Sequence, residues 1–265
     1  MNYDFSKCKF LPCDYKGSEI KAKIEFQGSY YMMKFPDPIR ENNNQLSYMN
    51  NQFSEYIWSH IYQSCDIPVQ ETFIGTYNKN GEQKIVVLGK DFNYEGKTKV
   101  HDLFEMDDLA NHLCLDRRIS ENLEDAYLFF DNMENLDRQA SVERFWDMFV
   151  IDALIMNSDR HFHNIGYWFN KDNILVPAPV YDCGSSLGAL LSDEDLYNLL
   201  QNEADFKNTV FNVPSCYRKD GNRIFFHSMI NNPTEDLKKA LERIVPRIDL
   251  NKINKLAEFF KGYQD

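Results

Sequence analysis

An α+β fold in two parts is predicted by three features of the 265-residue sequence. Short apolar runs flank compact turns before about residue 92, one amphipathic segment interrupts them, and helical periodicities take over afterwards. Strands gathered early and helices gathered late build an α+β arrangement, whereas alternating units would give a parallel sheet.

The runs KAKIEF and YYMMKF stand on either side of Gln27-Gly28-Ser29, a turn signal, so they read as a hairpin ending near Lys34. Pro36 and Pro38 then stop the pairing, because proline has no N–H to donate to the ladder. Leu46, Met49, Phe53, Ile57, Ile61 and Cys65 recur every three or four positions, the spacing of an amphipathic helix whose start Asn44 or Ser47 would cap. Beyond Pro68, TFIGTY and KIVVLG flank Asn78-Lys79-Asn80-Gly81, which predicts a second hairpin.

After Asp91 the periodicity predicts helix over 105–130 and 139–156, the second with a stripe of Phe145, Phe149, Ala153 and Met156. Short strands and polar loops are expected between about 157 and 188, and helix again around 193–204 and 234–262. The boundary therefore falls near residue 92, with a small sheet-rich lobe over 1–92 and a mainly helical lobe over 93–265.

Apolar residues are 43% and charged residues 26% of the chain, a composition that can bury a core. The formal charge of −12 opposes capture of nucleic acid or an anionic membrane, since both need a surplus of Lys and Arg. Aromatics are 14%, but with this charge packing in strands is a better reading of them than a base-stacking platform. No apolar run approaches the roughly 20 residues of a membrane span, and MNYDFSKCKF lacks the layout of a signal peptide, so a cytoplasmic protein is expected. Six scattered cysteines show neither metal spacing nor a disulfide framework and read as reduced, core-filling thiols.

The densest polar cluster is Asn157-Ser158-Asp159-Arg160-His161-Phe162-His163-Asn164, between an apolar helix and the strand-like IGYWF. Eighteen residues after Asn164 comes Asp182, in Pro179-Val180-Tyr181-Asp182-Cys183-Gly184. Phosphoryl transfer needs a carboxylate to orient the attacking hydroxyl and oxygen ligands to hold magnesium on the phosphates. Asp159, Asn164 and Asp182 supply those groups, with the five-residue step from base to metal-binding Asn that kinase catalytic loops use. Lys34 at a strand end and Glu55 in the next helix fit the order of a phosphate-binding lysine and its partner acid.

Tyr15-Lys16-Gly17-Ser18, Tyr31-Met32-Met33-Lys34-Phe35, Ser54-Glu55-Tyr56-Ile57, Pro68-Val69-Gln70-Glu71-Thr72 and Lys90-Asp91-Phe92 resemble segments of the HipA-like serine/threonine protein kinases. So do Asp152-Ala153-Leu154-Ile155, Asp159-Arg160-His161, Asn164-x-Gly166 and Tyr181-Asp182-Cys183-Gly184-Ser185, and the likeness is stronger to the short, CtkA-like form without an extra N-terminal subdomain. The resemblance implies a two-lobed protein-kinase-like fold with a small antiparallel-sheet N-lobe and a mainly helical C-lobe, acting with ATP and Mg2+. It implies Asp159 as catalytic base, Asn164 and Asp182 as metal ligands, and Lys34 on the phosphates with Glu55. Gly17 and Ser18 would form the phosphate-covering turn, Val87, Leu88 and Lys90 the adenine hinge, and His161 a brace for the loop beside the nucleotide. The implied partners are a protein substrate offering a Ser or Thr hydroxyl and, for members that are toxins, an antitoxin protein. Ser18, Ser185 and Ser186 are candidate autophosphorylation sites by the same resemblance.

The chain has no GxGxxG loop, reads Ser-Asp-Arg-His where conventional kinases have His-Arg-Asp, and has Cys183 in place of Phe. Competing readings are a pseudokinase that binds without turnover, an aminoglycoside-type small-molecule kinase, and a zinc site in which His161 and His163 join Asp159 and Asp182. His163 would otherwise be solvated, and Glu55 lies off the apolar stripe of its helix.

Overall fold

The computed structural model describes residues 3–15, 20–36, 50–113 and 119–260. Gly17, Ser18, Asn44, Leu46, Ser47, Met49 and Cys114 lie outside them.

Both early hairpins form. The strands β1 (Tyr3–Asp4), β2 (Lys9–Leu11), β3 (Lys21–Phe26) and β4 (Ser29–Lys34) precede helix α1 (Asn51–Ser64), and β5 (Thr72–Lys79) and β6 (Glu82–Lys90) follow it. They make one sheet in the order β1-β5-β6-β4-β3-β2, antiparallel except for the β1–β5 pair. Gln27 and Gly28 turn the first hairpin with φ of 48° and 79°, and Asn80 and Gly81 turn the second with 56° and 88°. Positive φ at both turn residues is the geometry that matches the twist of paired strands.

The sheet divides its side chains by alternation. Phe5, Ile24, Tyr31, Met33, Val86 and Leu88 form a core on one face. Register pairs Lys21 with Lys34, Lys23 with Met32 and Met32 with Gly89, which places these residues on the opposite face.

Helix α1 is rotated from the expected stripe. Its buried positions include Ser54, Glu55, Trp58, Ser59, Ile61 and Tyr62, while Phe53 and Ile57 are only half-buried. The polar side of this helix faces protein instead of water. Trp58, Ile61 and Tyr62 join the larger core with Phe145, Phe149 and Ile151.

The chain continues through a small hairpin, β7 (Tyr94–Glu95) and β8 (Thr98–Lys99), then β9 (Phe104–Glu105), α2 (Met106–Asn111), α3 (Leu123–Asn132) and α4 (Arg138–Leu154). The stretch 105–130 is thus not one helix. Asp125 accepts hydrogen bonds from the N–H and hydroxyl of Ser120 at 2.9 and 3.0 Å, a local cap that starts α3 afresh. Next come β10 (Gly166–Phe169), β11 (Leu175–Pro177), α5 (Asp193–Gln201), α6 (Glu203–Phe211), β12 (Pro214–Lys219), β13 (Asn222–Phe225), α7 (Phe226–Asn231), α8 (Glu235–Ile244) and α9 (Leu250–Phe259). Helix 193–204 breaks at Asn202, whose side chain caps α6, and helix 234–262 breaks at Pro246, which cannot sit in a helix interior. The β12–β13 hairpin was not expected; Asp220 and Gly221 turn it with φ of 50° and 76°. Among the described residues no helix is long and apolar enough to cross a membrane. Of the cysteines, Cys65 and Cys183 fill core space as expected, but Cys13 is exposed.

What positions the polar loop is a buried ion pair. Asp152, in the last turn of α4, and Arg160 are both 1% exposed, with Nε to Oδ2 at 3.0 Å. Tyr62 Oη of α1 and Asn157 Nδ2 each donate to Asp152 Oδ1 at 2.9 Å. Arg160 Nη1 donates to the carbonyls of Asn164 at 2.9 Å and Tyr181 at 2.8 Å, and Nη2 to Cys183 Sγ. Burial alone would lower the Arg160 pKa, but Asp152 holds the guanidinium charged, well above its ordinary value. Asp152→Ala leaves that guanidinium buried without its carboxylate, and urea denaturation should show a loss of about 3–5 kcal/mol.

Candidate active site

Between the lysine-bearing sheet face and the polar loop lies a cavity of about 730 Å³, lined among others by Lys21, Lys34, Asp159, His161, Asn164 and Asp182. That volume is within the range of small-molecule and nucleotide pockets.

Lys34 ends β4 and is 6% exposed. Its ammonium pairs with Glu55 Oε1 and donates to Asp182 Oδ1 at 2.8 Å. Glu55 is 3% exposed, and its other oxygen accepts from Trp58 Nε1 at 2.9 Å, which fixes the carboxylate. Sheet, helix and lower loop therefore converge on one cation.

The Asp182 turn is clamped from both sides. Val180 N–H donates to Pro68 O at 2.9 Å and Gln70 N–H to Val180 O at 2.8 Å, which ties the turn to the segment leading into β5. Ser54 Oγ of α1 donates to the carbonyls of Cys183 and Ser186 at 3.3 and 3.0 Å. Asp182 itself sits at φ 54°, a region that side chains other than Gly, Asn and Asp rarely take, and backbone strain of this kind persists where surrounding contacts hold it. Gly184 is needed for close approach: a Cβ there would lie 3.1 Å from Glu55 Oε1. Burial would push the Asp182 carboxyl up, yet the Lys34 ammonium overrides it and holds the pKa down at about 2.

Asp159 lies on the opposite wall. Asn157 Oδ1 accepts from its N–H at 3.2 Å, and its carbonyl accepts from Asn164 Nδ2 at 2.9 Å, so the loop ties Asp159 and the Asn164 carboxamide together. Burial raises the Asp159 pKa, partly offset by His161, and the negative charge of Asp182 raises it further. His161 Nε2 stands 3.4 Å from Asn164 Nδ2 and 3.8 Å from Asp159 Oδ1. The hydroxyl of Ser185 donates to Asp159 Oδ2 at 3.5 Å. Two carboxylates, one ionised at low pH and one with a raised pKa, plus a carboxamide form a hard oxygen set suited to a small divalent cation.

Several expectations are corrected. Val87 and Leu88 are 2% and 0% exposed, Lys90 turns away to Glu71 Oε2 at 2.9 Å, and none of the three lines the cavity. The segment that lines it runs from Asp91 to Tyr94, with Gln70 beside it. His163 is exposed, as expected of a solvated residue, and is also paired. Its Nδ1 lies 2.7 Å from Glu105 Oε2 and its Nε2 3.5 Å from Asp107 Oδ2, so it turns from His161, and among the described residues no three His, Cys, Asp or Glu side chains gather as a metal-binding group. Ser186 is fully buried, which withdraws its hydroxyl from modification.

The sequence reading assigned no role to Asp152, Tyr62, Asn157 or Ser54. An aspartate inside the apolar run FVIDALI was the available signal, since a carboxylate there needs a buried partner.

The model of the HipA-like C-terminal domain matches residues 14–248. The chain is 34% identical over 264 residues to the serine/threonine-protein kinase CtkA of Helicobacter pylori (strain J99), covering 96% of this chain and 78% of that protein. The crystal structure of the Helicobacter pylori proinflammatory kinase CtkA matches at a TM-score of 0.83 and 31% identity, over 97% of this chain and 86% of that one. HipA of Shewanella oneidensis MR-1, solved as a toxin–antitoxin system with HipB and its operator DNA, matches in fold at a TM-score of 0.51 and 15% identity, over 94% of this chain and 61% of that one. The fold is the two-lobed kinase-like one, with a curled sheet above helices, and the chain belongs to the family of the HipA-like C-terminal domain.

Proposed function

We propose that the protein is an ATP- and Mg2+-dependent protein serine/threonine kinase whose small lobe, 1–92, and helical lobe, 93–265, enclose the nucleotide. The reading is carried by one observation, the Lys34 ammonium held between Glu55 of the helix and Asp182 of the lower loop. Kinship with a protein named as a serine/threonine kinase supports it.

Asp182 and Asn164 would hold magnesium, which would supply positive charge to offset that of the phosphates. Lys34 places a fixed positive charge on the phosphates, with Glu55 preventing its side chain from swinging away. Asp159 accepts the proton of the substrate hydroxyl as oxygen attacks the terminal phosphorus in line. Phosphorylated protein and ADP leave. Ser185, already beside Asp159, is the candidate for intramolecular transfer among the described serines. The proposed target is a protein in the cytoplasm, and an antitoxin is a further proposed partner, of the kind present in the solved HipA toxin–antitoxin system.

Purified protein incubated with Mg-ATP should gain phosphate by mass spectrometry. Asp159→Asn should lower transfer by about 10³-fold or more while the melting temperature stays close to wild type, and Asp182→Ala should lower transfer as far but also lower the melting temperature, since it removes the Lys34 pair and puts alanine at positive φ. Nucleotide-dependent stabilisation without transfer by wild type would instead make the protein a binding module.

The pH dependence has a definite sign. Asp159 must be ionised to act, and its pKa is raised, so kcat/KM should fall as pH drops through a value above the ordinary 3.8 of aspartate. Asp182, by contrast, should remain ionised to about pH 2 in carboxyl NMR of the metal-free protein. Its depressed pKa stabilises the fold above the ordinary aspartate range, and that contribution is lost as pH falls toward 2.

A further inference from the structure

Helices α5 and α6, which follow the Asp182 loop in the chain, contribute no buried residue. Their side chains are not those of a solvated pair. Tyr197 and Leu200 of α5 are each 64% exposed, and Phe206 and Phe211 of α6 are 38% and 50% exposed. Tyr197 and Leu200 stand three positions apart and so share one side of α5, while the half-buried Leu196 holds that helix against Gly188. Asn202 joins the two helices and caps the second, its Oδ1 accepting from the N–H groups of Ala204 and Asp205 at 3.1 and 3.3 Å. Phe211 lies against the His227 ring, 4.7 Å between centroids. Apolar side chains left open at adjoining positions of a surface mark a place where another chain docks.

Charge selects the kind of chain. Residues 193–211 hold five carboxylates, Asp193, Glu194, Asp195, Glu203 and Asp205, against one lysine, Lys207, which pairs with Glu203 at 2.6 Å. A second copy would bring the same sign of charge to the same patch, and an anionic bilayer would repel it as well. A segment with Lys or Arg among apolar anchors matches both the charge and the open side chains. The patch also stands close to the cleft. Asp193 opens α5 eight residues after Ser185, and Asn50 Nδ2 donates to Asp193 Oδ1 at 2.8 Å, which ties α5 to the start of the helix that carries Glu55. Eight residues span at most about 29 Å, and ten extended residues of a docked chain reach about 33 Å. A hydroxyl within ten or so residues of the docked part can therefore stand at Asp159, beside Ser185.

We propose that α5 and α6 form the docking surface for the protein substrate, and that this substrate carries a basic segment in which Lys or Arg flank Leu- or Phe-like anchors near the accepting Ser or Thr. The assignment rests on the kinase reading above and deepens it by naming the class of protein that the site serves.

An array of serine-containing peptides, scanned with Arg, Glu, Leu or Ala at every position around the serine, tests this when read twice, by binding of the labelled full-length protein and by phosphate transfer from Mg-ATP. Peptides rich in Arg and Leu should lead in both readings. Tyr197→Ala combined with Leu200→Ala should weaken binding of the best peptide by about tenfold and raise its KM by as much, with kcat held. Glu194→Gln combined with Glu203→Gln should shrink the preference for Arg and leave that for Leu. All four side chains are exposed, so thermal melts of both variants should stay close to wild type. Unchanged selectivity in both variants, a preference for Glu peptides, or a wild-type dimer that the Tyr197 and Leu200 substitutions dissolve overturns the docking role and leaves the kinase reading in place. Selective binding of Arg and Leu peptides with no transfer by wild type keeps the docking surface and overturns the kinase reading.

Discussion

The buried pair of Asp152 and Arg160 is the constraint on which the active-site geometry depends. Its charges are nearly sealed from water, which is tolerable only because both partners are saturated with hydrogen bonds. Arg160 is a neighbour of Asp159 in sequence, so fixing its guanidinium inside the lower lobe fixes the direction of the adjacent carboxylate. The same guanidinium reads the carbonyls of Asn164 and Tyr181, one on each loop that brings an oxygen ligand to the cleft. One cation thus sets the spacing of Asp159, Asn164 and Asp182 before any nucleotide arrives.

Electrostatics divides labour between the two aspartates that share the cleft. Asp182 faces an ammonium and stays ionised, as the proposed metal ligand would have to. Burial and the facing Asp182 carboxylate raise the proton affinity of Asp159 against the opposing effect of His161, which suits the proposed role of base. The difference arises from neighbours alone, since both begin as the same side chain.

Much of the fold was legible because turns and periodicity are local. Gln27-Gly28 and Asn80-Gly81 announced their hairpins, and the polar loop after α4 supplied Asp159 and Asn164, which do line one cavity. Asp220-Gly221 gave an equally good signal and was missed for lack of a clean apolar run on either side. Helix lengths were overestimated where Asn202 and Pro246 cut a continuous pattern. Less legible was whatever depends on orientation in space. Counting apolar residues put the buried face of α1 on Phe53 and Ile57, whereas the helix buries Ser54 against the carbonyls of Cys183 and Ser186, far along the chain, and Glu55 against Lys34 of the sheet. The segment after β6 was equally hard to place: Lys90 is drawn to Glu71, and the cavity is lined from Asp91 onward.

The contact between Gly184 and Glu55 makes α1 and the lower turn a single mechanical unit. With Ser54 hydrogen-bonded to the same turn, a tilt of the helix would drag the glycine backbone and, with it, Asp182. A tilt that frees Glu55 would also release Lys34 and, through it, Asp182. The outer side of the same helix, where Phe53 and Tyr56 meet Phe260, is thereby linked mechanically to the cleft.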